Sequence, residues 1–126
     1  MNKETIFSQK APDAIGPYSQ AIKCGNMRFM SGQLPVDKET GVMPLDIKLQ
    51  TKQSLENIKH IISAAGYSMK DIVKTTVFVK DWEQFQDIND VYSTYFPNNP
   101  PARACIEVAG LPKGAGVEIE VIACAD

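Results

Sequence analysis

Histidine is nearly absent from this 126-residue chain: His60 is the single one, so the usual general base of neutral-pH hydrolases has one candidate only. Cysteine is almost as scarce. Cys24, Cys105 and Cys124 form an odd set with no Cys-x-x-Cys spacing and no neighbouring histidine, which argues against both a disulfide framework and a zinc site. No run approaches the about 18 apolar residues of a membrane span, and the N-terminal Met-Asn-Lys-Glu-Thr-Ile-Phe-Ser-Gln has no apolar signal region. The expectation is a reduced, cytoplasmic protein with no membrane partner. Neither charge sign dominates: 13 Lys and Arg stand against 15 Asp and Glu, a formal net charge of -2 that gives no attraction toward phosphate backbones, so nucleic acid is not an expected partner. Phosphate-binding loops, G-x-G-x-x-G, G-x-S-x-G, H-E-x-x-H and clusters of metal ligands are all missing. Any site here must work with ordinary side chains, without cofactor or metal. What is present is a 44% hydrophobic chain, enough for one modest core and with no room for a second, so residues 1–126 read as one domain.

The core pattern is clear in the middle of the chain. Asp46 is a suitable N-cap for a long helix whose Leu55, Ile58, Ile62 and Ala65 form a stripe spaced 3, 4, 3, with Gly66 as the stop. His60 lies off that stripe beside Lys59 and reads as a solvated helix residue. Ile72 to Val79 alternates as a strand, with Val73, Thr75, Val77 and Val79 expected on one side. Asp81 then opens a second helix, with Gln84 placed for a capping box and Phe85, Ile88, Tyr92 and Tyr95 as its stripe. Asn89 lies beside that stripe, where its amide either meets a functional partner or caps local backbone.

Before the first helix, residues 5–7 suggest a short strand, and residues 19–24 and 27–31 a hairpin about Gly25-Asn26. Gly32 ends the second of these strands without a Cβ, which allows a close approach or a simple bend. Tyr18 follows Ile15-Gly16-Pro17 in a loop, and its ring either packs on the core or belongs to a site.

At the other end, residues 102–108 and 117–123 read as two strands joined by a tight Gly/Pro-rich loop. Arg103, Cys105 and Glu107 share one face of the first, and Glu118 and Glu120 one face of the second. Pro100-Pro101 keeps the backbone before Arg103 extended. Each of these residues also has a plainer role: Arg103 as an ion-pair partner of Glu107, Cys105 as a small buried hydrophobe, Glu118 and Glu120 as solvated strand residues. The order of six strands and two amphipathic helices favours an α+β fold with both helices on one face of a mixed sheet.

Several stretches carry a resemblance. Ile15-Gly16-Pro17-Tyr18-Ser19-Gln20-Ala21, Ser31-Gly32-Gln33-Leu34-Pro35, Asp71-Ile72-Val73-Lys74-Thr75-Thr76-Val77-Phe78-Val79, Pro101-Ala102-Arg103-Ala104-Cys105-Ile106-Glu107-Val108 and Val117-Glu118-Ile119-Glu120-Val121-Ile122-Ala123 run in the order found in the RidA (YjgF) family of reactive imine deaminases, over nearly the whole chain. The resemblance implies a chorismate-mutase-like fold, a homotrimer, and sites in the clefts between subunits. It implies hydrolysis of 2-imino acids such as 2-iminobutanoate and 2-iminopropanoate, the tautomers of released enamines, to 2-keto acids and ammonia. By the same resemblance Arg103 binds the substrate carboxylate, Glu118 orients the water, and Tyr18, Ser31, Gly32, Asn89 and Cys105 line the pocket. Two other activities attached to the family stay open at this stage: a 2-keto-acid-binding regulator, and an endoribonuclease that inhibits translation.

Overall fold

The computed structural model describes residues 2–126. Six strands form one sheet: β1 Lys3–Ile6, β2 Ala21–Cys24, β3 Met27–Gln33, β4 Ile72–Val79, β5 Ala102–Glu107 and β6 Val117–Cys124. Their spatial order is β1-β2-β3-β6-β4-β5. Every neighbouring pair is antiparallel except β4 and β5, which run parallel. Two helices, α1 (Ile47–Ala64) and α2 (Phe85–Tyr95), lie together on one face.

The core sits between the helices and the sheet. Leu55, Ile58, Ile61 and Ile62 of α1 and Ile88 of α2 bury themselves with Val77 and Val79 of β4 and Val117, Ile119, Val121 and Ala123 of β6. Alternation places these strand residues on the helix face and sends Thr76, Phe78, Glu118 and Glu120 to the other. Asp46 caps α1 by accepting from the Leu49 N–H, as its position predicts. Past Ala65 the chain leaves the helix through Gly66 at φ 81°, a conformation that costs glycine little.

Polar residues on the buried side of α1 then fasten the loops that shape the open face. Asn57 donates to the carbonyls of Leu34 (3.1 Å) and Val36 (2.9 Å), and Ser54 to that of Gln33 (2.6 Å). Gln50 donates to the Pro44 carbonyl and accepts from Gly116 N–H, both at 2.9 Å, so it ties the entry of β6 to the helix.

Four expectations change. Residues 102–108 and 117–123 are not paired with each other, because α2 carries the chain from β4 back to a parallel position beside it, and β6 inserts between β3 and β4. The fully buried alternation Val117, Ile119, Val121 and Ala123 suits that central place. Val73 does not join Thr75, Val77 and Val79: a register shift between Ile72 and Lys74 puts Ile72 inside and leaves Val73 exposed. Asp81 caps a 3-10 turn at Trp82–Gln84, accepting from Glu83 N–H, and α2 begins only at Phe85. The first strand starts earlier than expected, and Phe7 stands outside it, exposed.

Candidate functional site

The crossover from β4 through α2 to β5 positions Arg103. Parallel pairing sets Thr75 opposite Arg103 and Val77 opposite Cys105, so both β5 side chains point to the helix face beneath α2, while Ala104 points to the opposite face. The Arg103 guanidinium donates through Nη1 to Asn89 Oδ1 at 2.8 Å. It also lies 4.8 Å from the ring centre of Tyr92 and 5.6 Å from that of Phe85. Tyr92 is itself fixed, its hydroxyl 2.7 Å from that of Thr75. Glu107 does not pair with the arginine but accepts from the Trp82 N–H at 3.0 Å. Among the described residues no carboxylate comes within ion-pair distance of Arg103. A planar fork is therefore held in place with donors left over, a geometry suited to a carboxylate.

Cys105 is half-buried beside it, and burial pushes its thiol up against the opposing influence of Arg103. A thiol held protonated is a poor nucleophile, which fits a packing residue.

On the other face, β6 places Glu118 beside Phe78 and Glu120 beside Thr76. The β3 register slips between Met30 and Gln33, a bulge in which Ser31 and Gly32 together stand against the single residue Glu120 of β6. A Cβ on Gly32 would stand 2.9 Å from Glu118 Cδ, so the missing side chain is what admits the carboxyl group. Ser31 fastens the preceding loop, its N–H donating to the Gln20 carbonyl (2.9 Å) and its hydroxyl to the Ser19 carbonyl (2.6 Å). Buried Gln20 holds the loop from the other side, accepting from Ser8 N–H at 2.7 Å and donating to the Pro12 carbonyl at 2.9 Å. Tyr18 stands half-exposed on that loop, its hydroxyl accepting from Ile15 N–H at 3.3 Å.

Tyr18, Ser31, Gly32 and Glu118 thus come together around a cavity of about 590 Å³, within the range of small-molecule sites. Burial, and then the charge of Glu120, raise the Glu118 carboxyl above the usual range. A carboxyl group so placed can take a proton from water and return it. Glu120, read from the sequence as sharing a face with Glu118, also lines this cavity, as do Lys113 and Phe78, which were not singled out in the sequence. Phe78 was legible from parity with Glu118; Lys113 adopts φ 59°, which only its place before Gly114 hinted at.

Seven residues thus form two groups on opposite faces of the sheet: Asn89, Arg103 and Cys105 under α2, and Tyr18, Ser31, Gly32 and Glu118 on the open side, with β4 between β5 and β6. One chain does not bring them together. His60 is half-buried on α1 and lines neither group. A larger groove of about 910 Å³ between α1 and α2 contains none of the seven. Among the described residues no helix is long and apolar enough to cross a membrane, and no three His, Cys, Asp or Glu side chains are placed to hold a metal ion.

This architecture is shared by solved structures, among them Escherichia coli TdcF with bound serine, which superposes with a TM-score of 0.95 at 47% identity and covers 98% of this chain and 99% of that one. The fold is that of a defined class of small α+β proteins. The chain belongs to the RidA (YjgF) family: the family model described as endoribonuclease L-PSP matches residues 8–125. Among curated relatives, a RutC family protein of Pyrococcus horikoshii is 54% identical over 96% of this chain and 97% of its own length. The 2-iminobutanoate/2-iminopropanoate deaminase of Escherichia coli is 50% identical over 95% of this chain and 96% of its own.

Proposed function

We propose that this protein is a cytoplasmic 2-imino-acid deaminase, acting on 2-iminobutanoate and 2-iminopropanoate, and that it works as a homotrimer whose sites combine one subunit's Arg103 group with a neighbour's Glu118 group. The observation that carries the reading is the pinned Arg103 fork, with no carboxylate in ion-pair reach among the described residues, a ready receptor for the carboxylate of a 2-imino acid. The half-buried Glu118 in a cavity supplies the second requirement, and a relative half identical to this chain bears the deaminase name.

The chemistry needs little more. Arg103 holds the carboxylate, and Glu118 takes a proton from water as its oxygen bonds to the imine carbon. The proton returns to nitrogen, giving a carbinolamine; a second proton then passes from the new hydroxyl to nitrogen, by way of Glu118, as the C=O bond forms and the C–N bond breaks, and a 2-keto acid and ammonia leave. The electrophile is already activated, so orientation does most of the work. Asn89 steadies the guanidinium, while Tyr18, Ser31, Gly32 and Cys105 bound the space.

The trimer draws support from the uncovered sheet face and its edge, where Phe29, Val73 and Ile106 are each more than two-fifths exposed. The ribonuclease activity in the family model's description has no matching feature here: His60 stands outside both groups, and the chain is acidic. The test is a coupled assay in which a dehydratase makes the enamine in situ. Faster keto-acid formation with this protein is expected; an unchanged rate would reject the deaminase reading.

A further inference from the structure

We propose that Glu120 is a positioning residue of this site: its carboxylate stands beside that of Glu118 on one face of β6, over the same cavity, and acts on the reaction through Glu118. The inference rests on the deaminase reading only for its consequence in turnover.

The two glutamates are two residues apart on one strand face, about 7 Å along the backbone, and both line the same cavity. Few other charges face them. From β4 come Phe78 and Thr76, and from the β3 bulge Ser31 and Gly32, none of them ionisable. The N-terminal loop contributes Tyr18 and Asp13, and Asp13 is already engaged with Lys38 at 3.1 Å. Two cations remain, Lys113 at the cavity and Lys74 on the same face of β4; neither lies within ion-pair distance of a glutamate among the described residues. Glu120 is therefore the nearest anion along the strand; the cation that the proposed trimer adds, a neighbour's Arg103, is the same in wild type and in every variant compared below, so removing the Glu120 charge reads Glu120 alone. Glu120 is exposed, while Glu118 is half-buried against the place a Gly32 side chain would fill. Two such carboxylates do not ionise independently, and the more buried one holds its proton longer.

The proposed reaction gives this arrangement a use. Glu118 must accept a proton from water and then deliver it to nitrogen, and a group serves both steps best when its pKa lies near the working pH. An ordinary carboxylate is too weak a base near neutrality, and a neighbouring anion strengthens it. Glu120 touches no reacting atom in this scheme; it acts through Glu118.

The experiment is a carbon-13 NMR titration of glutamate-labelled full-length protein, with the Glu118 signal assigned by its loss in Glu118→Gln. Wild type, Glu120→Gln, Glu120→Asp and Asp13→Asn are compared, and kcat/KM is followed against pH on the same samples. In Glu120→Gln the Glu118 midpoint is expected to move to lower pH, and the acid limb of kcat/KM with it. Glu120→Asp keeps the charge and should stay near wild type, and Asp13→Asn should not move. An unmoved midpoint in Glu120→Gln, or an equal shift in Asp13→Asn, would overturn the proposal. The titration needs no turnover, so absence of imine hydrolysis at every pH would reject the deaminase reading while the midpoints still decide the role of Glu120.

Discussion

Arg103 and Glu118 are both held firmly, but the arginine is fixed by contacts added to it and the glutamate by an atom left out. Asn89, Tyr92 and Phe85 crowd the guanidinium with a hydrogen bond and two ring faces. Glu118 lies where Gly32 has no side chain, in a bulge that adds a residue to β3. The first arrangement suits a permanent cation that must present donors in a fixed plane. The second suits a group that must change charge, since burial next to a second carboxylate makes the proton easier to hold.

The comparison breaks most visibly at Glu118. Glu118→Gln keeps the volume and removes the base, so turnover should fall about 10²- to 10⁴-fold while 2-ketobutyrate binding survives. Calorimetry and the coupled assay on one variant read both, and unchanged turnover would remove Glu118 from the chemistry. Losing binding as well would mark it as structural.

Arg103→Lys keeps the charge but not the fork. A loss of about 10²-fold in kcat/KM is expected, carried mainly by weaker substrate binding. Near-normal kinetics would show that the bidentate clamp is wrong.

A mixture tests whether the halves belong to different subunits. Refolded together in equal amounts, inactive Arg103→Ala and Glu118→Gln chains should recover about one quarter of wild-type activity, because random assembly pairs intact halves at that share of interfaces. No recovery, with mixed trimers demonstrated by mass, would place each site within one subunit.

Gly32→Ala addresses the vacancy alone. The new methyl meets the end of a flexible side chain, so the melting temperature should change little, while turnover drops roughly tenfold as the carboxyl group moves aside.

The smallest effect concerns stability. Glu118 holds its proton more tightly folded than unfolded, so its ionised form destabilises the fold, and that cost grows as pH rises from about 4.5 through the folded pKa. Glu118→Gln should therefore melt slightly higher than wild type at pH 7, with the difference vanishing toward pH 4. A variant less stable at pH 7 would contradict the burial argument.

Much of this was readable in the residues, and the failures have physical causes. Period and capping located α1 and β4, because a stripe and a cap are local properties. Pairing of β5 and β6 is not local, and two strands joined by a short loop suggest a hairpin unless the preceding crossover is taken into account. Val73 was misplaced because a bulge shifts parity without a sequence signal such as glycine. Gln50, Ser54 and Asn57 broke the apolar stripe of α1, and their buried partners are loop carbonyls and amides that only the folded chain supplies. The site residues were individually visible through the family resemblance. Their division between two faces became visible only with the strand order.

That strand order also constrains how the protein is made. β6 comes last of the six strands in chain order, yet it occupies the middle of the sheet, between β3 and β4. Until it arrives, β1-β2-β3 and β4-α2-β5 are two separate pieces, each with an unpaired edge where β6 will go. The Arg103 group lies wholly within the second piece, joined by contacts only 14 to 17 residues apart in sequence, and can mature early. Glu118 arrives on the closing strand itself, so the cavity around it forms in the same step that completes the sheet. A nascent chain stalled before residue 117 would present two unpaired edges to its neighbours, and so the risk of aggregation lasts until β6 is in place.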